Sequence, residues 1–336
     1  MNFYASRDYL DVAAAVYFKG RDVAIENVKI GDDVLRLLVV DDRKIVTRLQ
    51  FLDYHEPLSE ADARGTVRNG RYARFVVRGK IERSEWDPTS FPRFEIAPYI
   101  DWSKFRSFDD YKDFILQRHK GRVRDRERRW RSLAAANGEI VFTMNDNQDD
   151  VLDCAQQWKR QQLQETGHDD YFSTPKTMEF LEALRGRGLL VSSTLRAAGR
   201  LLSVWIGFVH DGRWSGWIFT YDPEFRKYSV GHQLLSCMLE ESYRLGHREF
   251  DFSDGSHDYK MMYATNCRLL GDVGRPPLVR SVVIFAKEGL RQRSPALLQT
   301  IQGLKKSISA PAARRSAALL FAKAPLRAAP APRASS

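Results

Sequence analysis

Several features that would define a secreted, membrane or metal-binding protein are absent from this sequence of 336 residues. No apolar run approaches the roughly 20 residues of a membrane-spanning helix, so we expect no transmembrane segment. No charged stretch followed by an apolar stretch precedes a small-residue cleavage site, which indicates that a secretory signal is absent. The three cysteines, Cys154, Cys237 and Cys267, have neither disulfide nor zinc-ligand spacing. These absences together predict a cytoplasmic protein without a bound metal.

Acidic residues are missing from residues 305–336, a segment that contains seven Lys or Arg residues and carries a charge of +7. A second basic segment, residues 118–131, has eight Lys or Arg residues against Asp125 and Glu127, a charge of +6. The whole chain carries +10, so the remainder sums to −3 and is not basic. Residues 291–336 are rich in Ala, Pro, Arg and Ser and too poor in apolar patterning to form a core, so we predict a disordered tail.

The remaining 290 residues are enough for two compact domains, and 43% hydrophobic content supplies their cores. Residues 1–105 predict a mixed domain, with a helix capped by Ser6 followed by several strands. Residues 106–290 predict a second domain. It begins with a long polar helix near Ser107, continues through a strand, two helices and a meander of three strands, and then forms a strand–helix–strand unit. Residues 281–290 predict one more strand and the start of a helix.

The most informative segment is residues 214–255, in which an apolar strand, a charged turn, a helix and a second strand follow one another. Gly231 lies at the start of the helix, so we expect backbone N–H groups from about Val230 to Leu234 to have no intrahelical acceptor. Such donors at the positive end of a helix dipole predict a phosphate site, whereas the structural alternative is an ordinary capped connection. Apolar residues at helical spacing predict the buried face of this helix: Leu234, Leu235, Met238, Leu239 and Leu245.

The sequence Arg226–Gly231 resembles the pyrophosphate loop of GNAT acyltransferases, Gln/Arg-x-x-Gly-x-Gly/Ala, with Ser229 in place of the first glycine. The wider run from YDPEF to DYK is similar to the CelD/BcsL-like branch of that superfamily, which is related to the FemABX aminoacyl transferases. The resemblance covers Asp101–Ala264 well and the first hundred residues loosely. It implies an α/β fold of two GNAT-like domains, each a mixed, mostly antiparallel sheet flanked by helices, of which the first is degenerate and non-catalytic.

The resemblance also implies that the acyl donor is acetyl-CoA and that the loop holds its pyrophosphate. Arg226 would then pair with phosphate oxygens, while Ser229 and the backbone amides of Val230, Gly231 and His232 surround them. His232 has no partner at metal-ligand spacing, so we predict no metal at this site.

Acyl transfer from a thioester needs a deprotonated acceptor, a proton for the departing thiolate and an N–H donor for the carbonyl oxygen. Candidate side chains follow the two strands that flank the loop. Asp222 and Asp254 are the candidates for the base, and Tyr259 or Tyr228 for the acid. Each aspartate also precedes a turn residue, so a purely structural role is the alternative.

The basic segment 118–131 allows two interpretations. It is either a solvated helix with pairs such as Asp125 with Arg129, or a docking surface for an anionic acceptor. Such an acceptor could be a polysaccharide intermediate, a lipid headgroup or RNA. The only Phe, Trp or Tyr residue in it is Trp130, which argues against a platform that stacks single-stranded nucleic acid. We expect this segment to govern acceptor use and the loop to govern donor use.

These observations predict an acyl-CoA-dependent transferase that modifies a sugar or amine acceptor in cell-envelope or exopolysaccharide metabolism. Two alternatives stay open. One is a FemABX-like transferase that takes its acyl group from aminoacyl-tRNA. The other is a non-catalytic protein that binds RNA or a membrane surface on a GNAT scaffold.

Overall fold

The structure is a computed structural model that describes residues 2–86 and 95–276. The strand predicted within residues 281–290 and the tail predicted from residue 291 lie outside the described residues. The chain divides into two compact units. The first contains Met1–Lys159 and Tyr171–Arg280 and holds both β-sheets; the second, Arg160–Asp170 with Ser281–Ser336, is described only over its first part, which belongs largely to a helix.

The described residues form helices on either side of strands, as the sequence predicts. Helices α1 to α6 span, in chain order, Arg7–Tyr17, Phe108–Asn137, Asp150–Thr166, Pro175–Gly186, Val230–Arg244 and Asp258–Tyr263. None of the helices in this described part combines the length and apolarity needed to cross a bilayer.

Two mixed sheets, mostly antiparallel, confirm the predicted α/β class. Strands β1 to β12 span Val23–Ile30, Asp33–Val40, Lys44–Val46, Val67–Asn69, Tyr72–Glu82, Glu95–Asp101, Ile140–Thr143, Val191–Ala197, Arg200–His210, Arg213–Tyr221, Glu249–Asp251 and Asn266–Gly274. The smaller sheet has the order β3-β2-β1-β4, and the larger has the order β5-β12-β6-β11-β10-β9-β8-β7. Only the β1–β4 and β10–β11 pairs are parallel among these strands.

The larger sheet draws strands from both sides of residue 105, the predicted domain boundary. Strands β5 and β6 precede that residue, yet β12 pairs antiparallel with both of them. Strand β6 also pairs with β11. The division at residue 105 stays a prediction, and the sheet shows that residues 72–101 contribute directly to the structure around β11.

Local sequence signals account for most helix boundaries. The Ser6 hydroxyl accepts the Tyr9 N–H at the start of α1. Ser107 and Asp110 form a reciprocal capping box at the start of α2, where the long polar helix was predicted. Helix α2 is kinked at His119, whose φ of −138° and ψ of 36° are not helical.

Helix α5 packs on the larger sheet through the face that the sequence predicts, with one exception. Leu234, Leu235, Met238 and Leu239 are all buried, and burial of each side chain contributes about 1.5–3 kcal/mol. Leu245 instead lies at the C-terminal cap of the helix and is 43% exposed. The prediction for Leu245 was wrong because the helix ends one residue earlier, at Arg244.

Candidate active site

The site lies where two parallel neighbouring strands separate. Strands β10 and β11 pair only over three residues, Arg213–Ser215 with Glu249–Asp251. Beyond them β10 continues to Tyr221, while β11 ends. A cavity of about 90 Å³ occupies the opening. Its lining comprises Asp53, Trp205, Gly216, Trp217, Ile218, Phe219, Phe252, Ser253, Asp254, Tyr259 and Lys260.

Two facing glycines shape the wall of this cavity. Gly216 of β10 is in register with Gly207 of β9, and the register shifts between Gly216 and Ile218. A Cβ atom at Gly216 would overlap the indole ring of Trp205, and one at Gly207 would overlap the Ser215 carbonyl. The absence of both side chains therefore lets the Trp205 indole lie against the strand at the point where β10 leaves β11.

Ionisable side chains that are shielded from bulk water converge on the cavity. Tyr4 Oη donates to Asp53 Oδ2 at 2.9 Å, and the Ser253 hydroxyl donates to the same oxygen. Burial and the nearby charge of Asp254 raise the pKa of Asp53 to about 7. The Lys260 ammonium donates to the Asp254 carbonyl, and burial lowers the pKa of this lysine. The cavity thus combines two carboxyl groups whose pKa values are raised with an amino group whose pKa is lowered.

A second amino group lies close to the same opening. Lys159 of α3 donates from Nζ to the Phe219 carbonyl at 3.2 Å, beyond the stretch of β10 that pairs with β11. Burial, together with the charge of Lys260, lowers its pKa to about 8. Two lysines whose pKa values are lowered by burial, Lys159 and Lys260, therefore lie near this opening.

The Arg226–Gly231 loop connects β10 to α5 through a 3₁₀ helix, Pro223–Tyr228, where the sequence predicts only a turn. Ser229 follows with φ 55° and ψ 41°, a left-handed conformation that glycine adopts most readily. This conformation explains why the resembled motif has glycine at the position that Ser229 takes here.

The first intrahelical bond of α5 is donated by the Gln233 N–H to the Ser229 carbonyl at 3.1 Å. The N–H groups that precede it, those of Val230, Gly231 and His232, have no intrahelical acceptor. The expectation that such donors extend to Leu234 was therefore wrong, because the helix makes its regular bonds from Gln233 onward.

The start of α5 lies directly beside the cavity. A Cβ atom at Gly231 would come within 2.9 Å of Phe219 Cζ and 3.4 Å of Tyr221 Cδ1, so β10 packs closely against the helix start. Phe219 also lines the cavity, and the Tyr259 ring lies 5.8 Å from it and 6.3 Å from His232. The predicted phosphate loop and the cavity therefore form one continuous region.

The basic segment 118–131, which we expect to govern acceptor use, also contacts the loop that we expect to govern donor use. Arg129 donates from Nη1 to the Lys227 carbonyl at 2.9 Å and to Ser229 Oγ at 3.1 Å. Asp125 pairs with Arg129 at 2.7 Å, as predicted. Burial, with the charges of Arg126, Arg122 and Arg129, lowers the pKa of His232. Arginines of α2 therefore add positive potential to the start of α5.

The structure brings two of the three predicted catalytic residues together. Asp254 and Tyr259 line the cavity, and burial raises the pKa of both. Asp222 does not line it. Its carboxylate accepts from Arg200 Nη2 at 2.7 Å and caps the 3₁₀ helix by accepting the Glu224 N–H at 3.0 Å.

Sequence reasoning missed Asp53, because no motif surrounds it and its partners Tyr4 and Ser253 lie 49 and 200 residues away along the chain. Its segment offered only isolated polar residues without periodicity. Among the described residues, no group of three or more His, Cys, Asp or Glu residues is arranged to hold a metal ion.

Comparison with known proteins identifies one stretch of the chain. Residues 118–261 match the family described as "Acetyltransferase (GNAT) domain", so this stretch, less than half of the chain, is similar to a GNAT-type domain. No curated protein matches the chain.

Solved structures show only distant similarity. The crystal structure of FemX is 10% identical, with 81% of this chain and 91% of that chain covered and a TM-score of 0.48. L-PGS from Bacillus licheniformis is 11% identical, with 87% and 98% covered and a TM-score of 0.44. A tandem GNAT protein from the clavulanic acid biosynthesis pathway is 11% identical, with 80% and 95% covered and a TM-score of 0.34.

Proposed function

We propose that this protein is an acyltransferase that takes an acyl group from a coenzyme A thioester and transfers it to an amino or hydroxyl group. One observation carries the proposal: within a GNAT-type domain, a cavity opens between two diverging parallel strands beside the start of α5. The helix start offers N–H donors for an anion, and the cavity offers proton-transferring groups for the reaction. The two requirements of thioester chemistry are therefore met in adjoining places.

The residues around the start of α5 fit a phosphate-bearing donor. Val230, Gly231 and His232 supply N–H groups, and Arg129 adds a guanidinium next to Ser229. Gly231 is also required for packing, because a Cβ atom there would lie 2.9 Å from Phe219 Cζ. Arg226 is exposed on the preceding 3₁₀ helix, where its charge would favour a phosphate. The donor, when bound, supplies an activated acyl carbon and a thiolate leaving group.

The proton-transfer roles fall to ionisable residues that line the cavity, whose carboxyl groups are those of Asp53 and Asp254. Asp254 is a candidate base, and Tyr259 is a candidate acid for the departing sulfur. We assign Asp222 a positioning role, because its ion pair with Arg200 and its cap fix the segment that leads into the loop.

The acceptor remains within the classes that the sequence suggests, a sugar or an amine in cell-envelope or exopolysaccharide metabolism, on the resemblance to the CelD/BcsL-like branch. Exposed arginines on α2 would favour an anionic acceptor, such as a polysaccharide intermediate. The same arginines are the one observation that favours aminoacyl-tRNA as the donor instead.

Titration calorimetry with acetyl-CoA, beside a filter-binding assay with tRNA, separates these possibilities. We expect saturable binding of acetyl-CoA, with tRNA binding that is weaker and lost as salt rises. Tight tRNA binding without any acetyl-CoA binding would replace the coenzyme A proposal by the aminoacyl-tRNA alternative.

Charge reversal at Arg129 tests the donor site. We expect Arg129→Glu to weaken acetyl-CoA binding about tenfold or more, because it removes a guanidinium near the phosphates and adds a repulsive carboxylate. The measurement is the dissociation constant from calorimetry, at low and at physiological salt, with Arg129→Gln to separate lost attraction from added repulsion.

The matched control is Arg124→Glu, which makes the same charge change on the same helix at an exposed position. It should change donor affinity by less than about twofold, because exposed charges are screened beyond roughly 8 Å at physiological salt. Equal effects of the two reversals would mean that α2 acts only through its overall charge.

A further inference from the structure

The geometry points to Asp53, which lies outside the GNAT-type domain, as the residue that takes the proton from the acceptor. This inference rests on the acyltransferase function proposed above. It places an essential group in the first hundred residues, the part of the chain that the sequence interpretation describes as non-catalytic.

Asp53 is presented to the cavity with one oxygen held and the other available. Tyr4 and Ser253 both donate to Oδ2. From the described residues no hydrogen bond reaches Oδ1, and Asp53 lines the cavity. A carboxylate held through one oxygen keeps a defined orientation, and its other oxygen can accept a proton.

The groups that hold Asp53 are themselves fixed. Trp217 donates from Nε1 to Tyr4 Oη at 2.9 Å, which directs the Tyr4 proton toward Asp53. Ser253 adopts a left-handed conformation with φ 60°, unusual for a residue other than glycine, and its N–H donates to Asp251 at 2.9 Å. Strain of this kind persists where the surrounding structure requires it, often at functional sites.

The charges that face Asp53 suit a base that works near neutral pH. Asp254 opposes its ionisation, whereas Lys260 of α6, Tyr4 and Ser253 favour the carboxylate. Burial is the largest influence, and the balance holds the pKa at about 7. Asp53 would therefore be partly ionised at neutral pH and able to bind a proton without a large energetic cost.

The chemical step balances with the groups present. Asp53 Oδ1 takes the proton of the attacking N–H or O–H as that atom forms a bond to the acyl carbon. The carbon–sulfur bond breaks, and the departing sulfur receives a proton from Tyr259. The proton on Asp53 replaces the one that Tyr259 has given up, so the products are the acylated acceptor and a free thiol.

The test compares Asp53→Asn with the wild-type protein in two measurements. The first follows the carboxyl ¹³C resonances of labelled aspartate in the full chain without donor. We expect one resonance to titrate near pH 7 and to be missing in Asp53→Asn. The absence of such a resonance in the wild type would overturn the inference.

The second measurement is thiol release from acetyl-CoA with water as the probe acceptor. The rate at saturating donor should rise with pH through about 7, because the base must lose its proton first. Asp53→Asn should lower that rate about 100-fold and abolish the rise, while acetyl-CoA affinity stays within about twofold. An unchanged rate or an unchanged pH profile in Asp53→Asn would overturn the inference.

Two further variants keep the outcome interpretable. Tyr4→Phe removes one donor to Oδ2 and should shift the pH profile upward, since the carboxylate loses a stabilising hydrogen bond. Asp254→Asn should instead shift it downward, because a neighbouring negative charge is removed. If Asp254→Asn abolished the rise of the rate with pH and Asp53→Asn preserved it, Asp254 would be the base.

Failure of the proposed function would look different from failure of this inference. In that case the wild-type chain would not bind acetyl-CoA, which calorimetry measures separately.

Discussion

Replacement of Arg268 by methionine should lower the free energy of unfolding by about 3–5 kcal/mol, because it removes a buried counter-charge from three neighbouring carboxylates, of which Asp251 is fully buried. Arg268 is fully buried in β12, which lies between β5 and β6 although these two strands precede it by more than 150 residues. It pairs with Glu249 and lies 3.5 Å from Glu56 and 3.8 Å from Asp251. Its guanidinium also lies 4.0 Å from the Tyr99 ring.

Arg213, the arginine that remains beside these carboxylates, cannot balance their negative charge alone. Arg213 already contacts Glu56 at 2.9 Å and Glu249 at 3.0 Å. Methionine would fill much of the volume of Arg268, so the loss would come mainly from charge and not from a cavity. Chemical denaturation monitored by circular dichroism would measure it, provided that the slope of the transition stays constant.

The loss should depend on pH with a defined sign. Burial alone would raise the pKa of Glu249, but the charges of Arg268 and Arg213 outweigh it and hold the pKa below its usual range. Glu249 therefore stabilises the wild type above its unfolded pKa, and this contribution is lost on acidification. Without Arg268 its pKa should rise, so the deficit of the variant should be largest at neutral pH and should shrink as the pH falls through and below the ordinary glutamate pKa of about 4.3.

Arg78→Met is the matched control for this prediction. Arg78 pairs with Asp33 at 2.8 Å, but its side chain is 41% exposed, and exposed pairs contribute about 0–1 kcal/mol. A loss in Arg268→Met no larger than in this control would mean that water reaches the buried cluster.

Gly216→Ala should be the second large change, with a loss of about 1–3 kcal/mol in stability together with a loss of transfer activity. An added Cβ would overlap the Trp205 indole, a rigid side chain that is 2% exposed and cannot move without displacing its neighbours. Phe219 packs against that ring at 4.9 Å, and all three residues line the cavity. The overlap should therefore disturb both the sheet and the site.

A double-mutant cycle with Trp205→Phe checks the cause, because the smaller ring leaves room for the added methyl group. The stability loss of Gly216→Ala should shrink in that background. Gly121→Ala is the control: nothing lies within 4 Å of a Cβ there, and alanine in a helix is favoured by up to about 1 kcal/mol over glycine. The two substitutions should therefore change the melting temperature in opposite directions. If Gly216→Ala lowered the stability of the Trp205→Phe variant as much as that of the wild type, the Trp205 indole would be excluded as the cause.

Local features of the sequence predicted local features of the fold. The caps at Ser6 and Ser107, the apolar face of α5 and the meander of β8 to β10 follow from hydrogen bonds and periodicities within a few residues. Ser229 and Gly231 also indicated where α5 begins. The extent of the free N–H donors was overestimated, because the exact first hydrogen bond depends on the conformation of Ser229.

The residues that share the cavity could not be read from such patterns. Asp53 and Ser253 meet in a sheet in which β6 pairs directly with β11, so that strands from the first hundred residues lie beside the segment that carries Ser253. Likewise, Arg129 reaches Ser229 only because α2 packs against α5, and Asp222 turns to Arg200 on the neighbouring strand.

The sequence by itself determined the α/β class of this protein, the caps of α1 and α2 and the strand–helix–strand order around α5. The tertiary structure alone decided that Asp53 and Asp254 face one cavity, that Asp222 lies apart and that the basic helix borders the loop. The physical reason is the separation along the chain over which each kind of interaction acts. Capping and periodicity act between neighbours along the chain, whereas pKa values and proton-transfer partners depend on side chains that strand order brings together across about 200 residues.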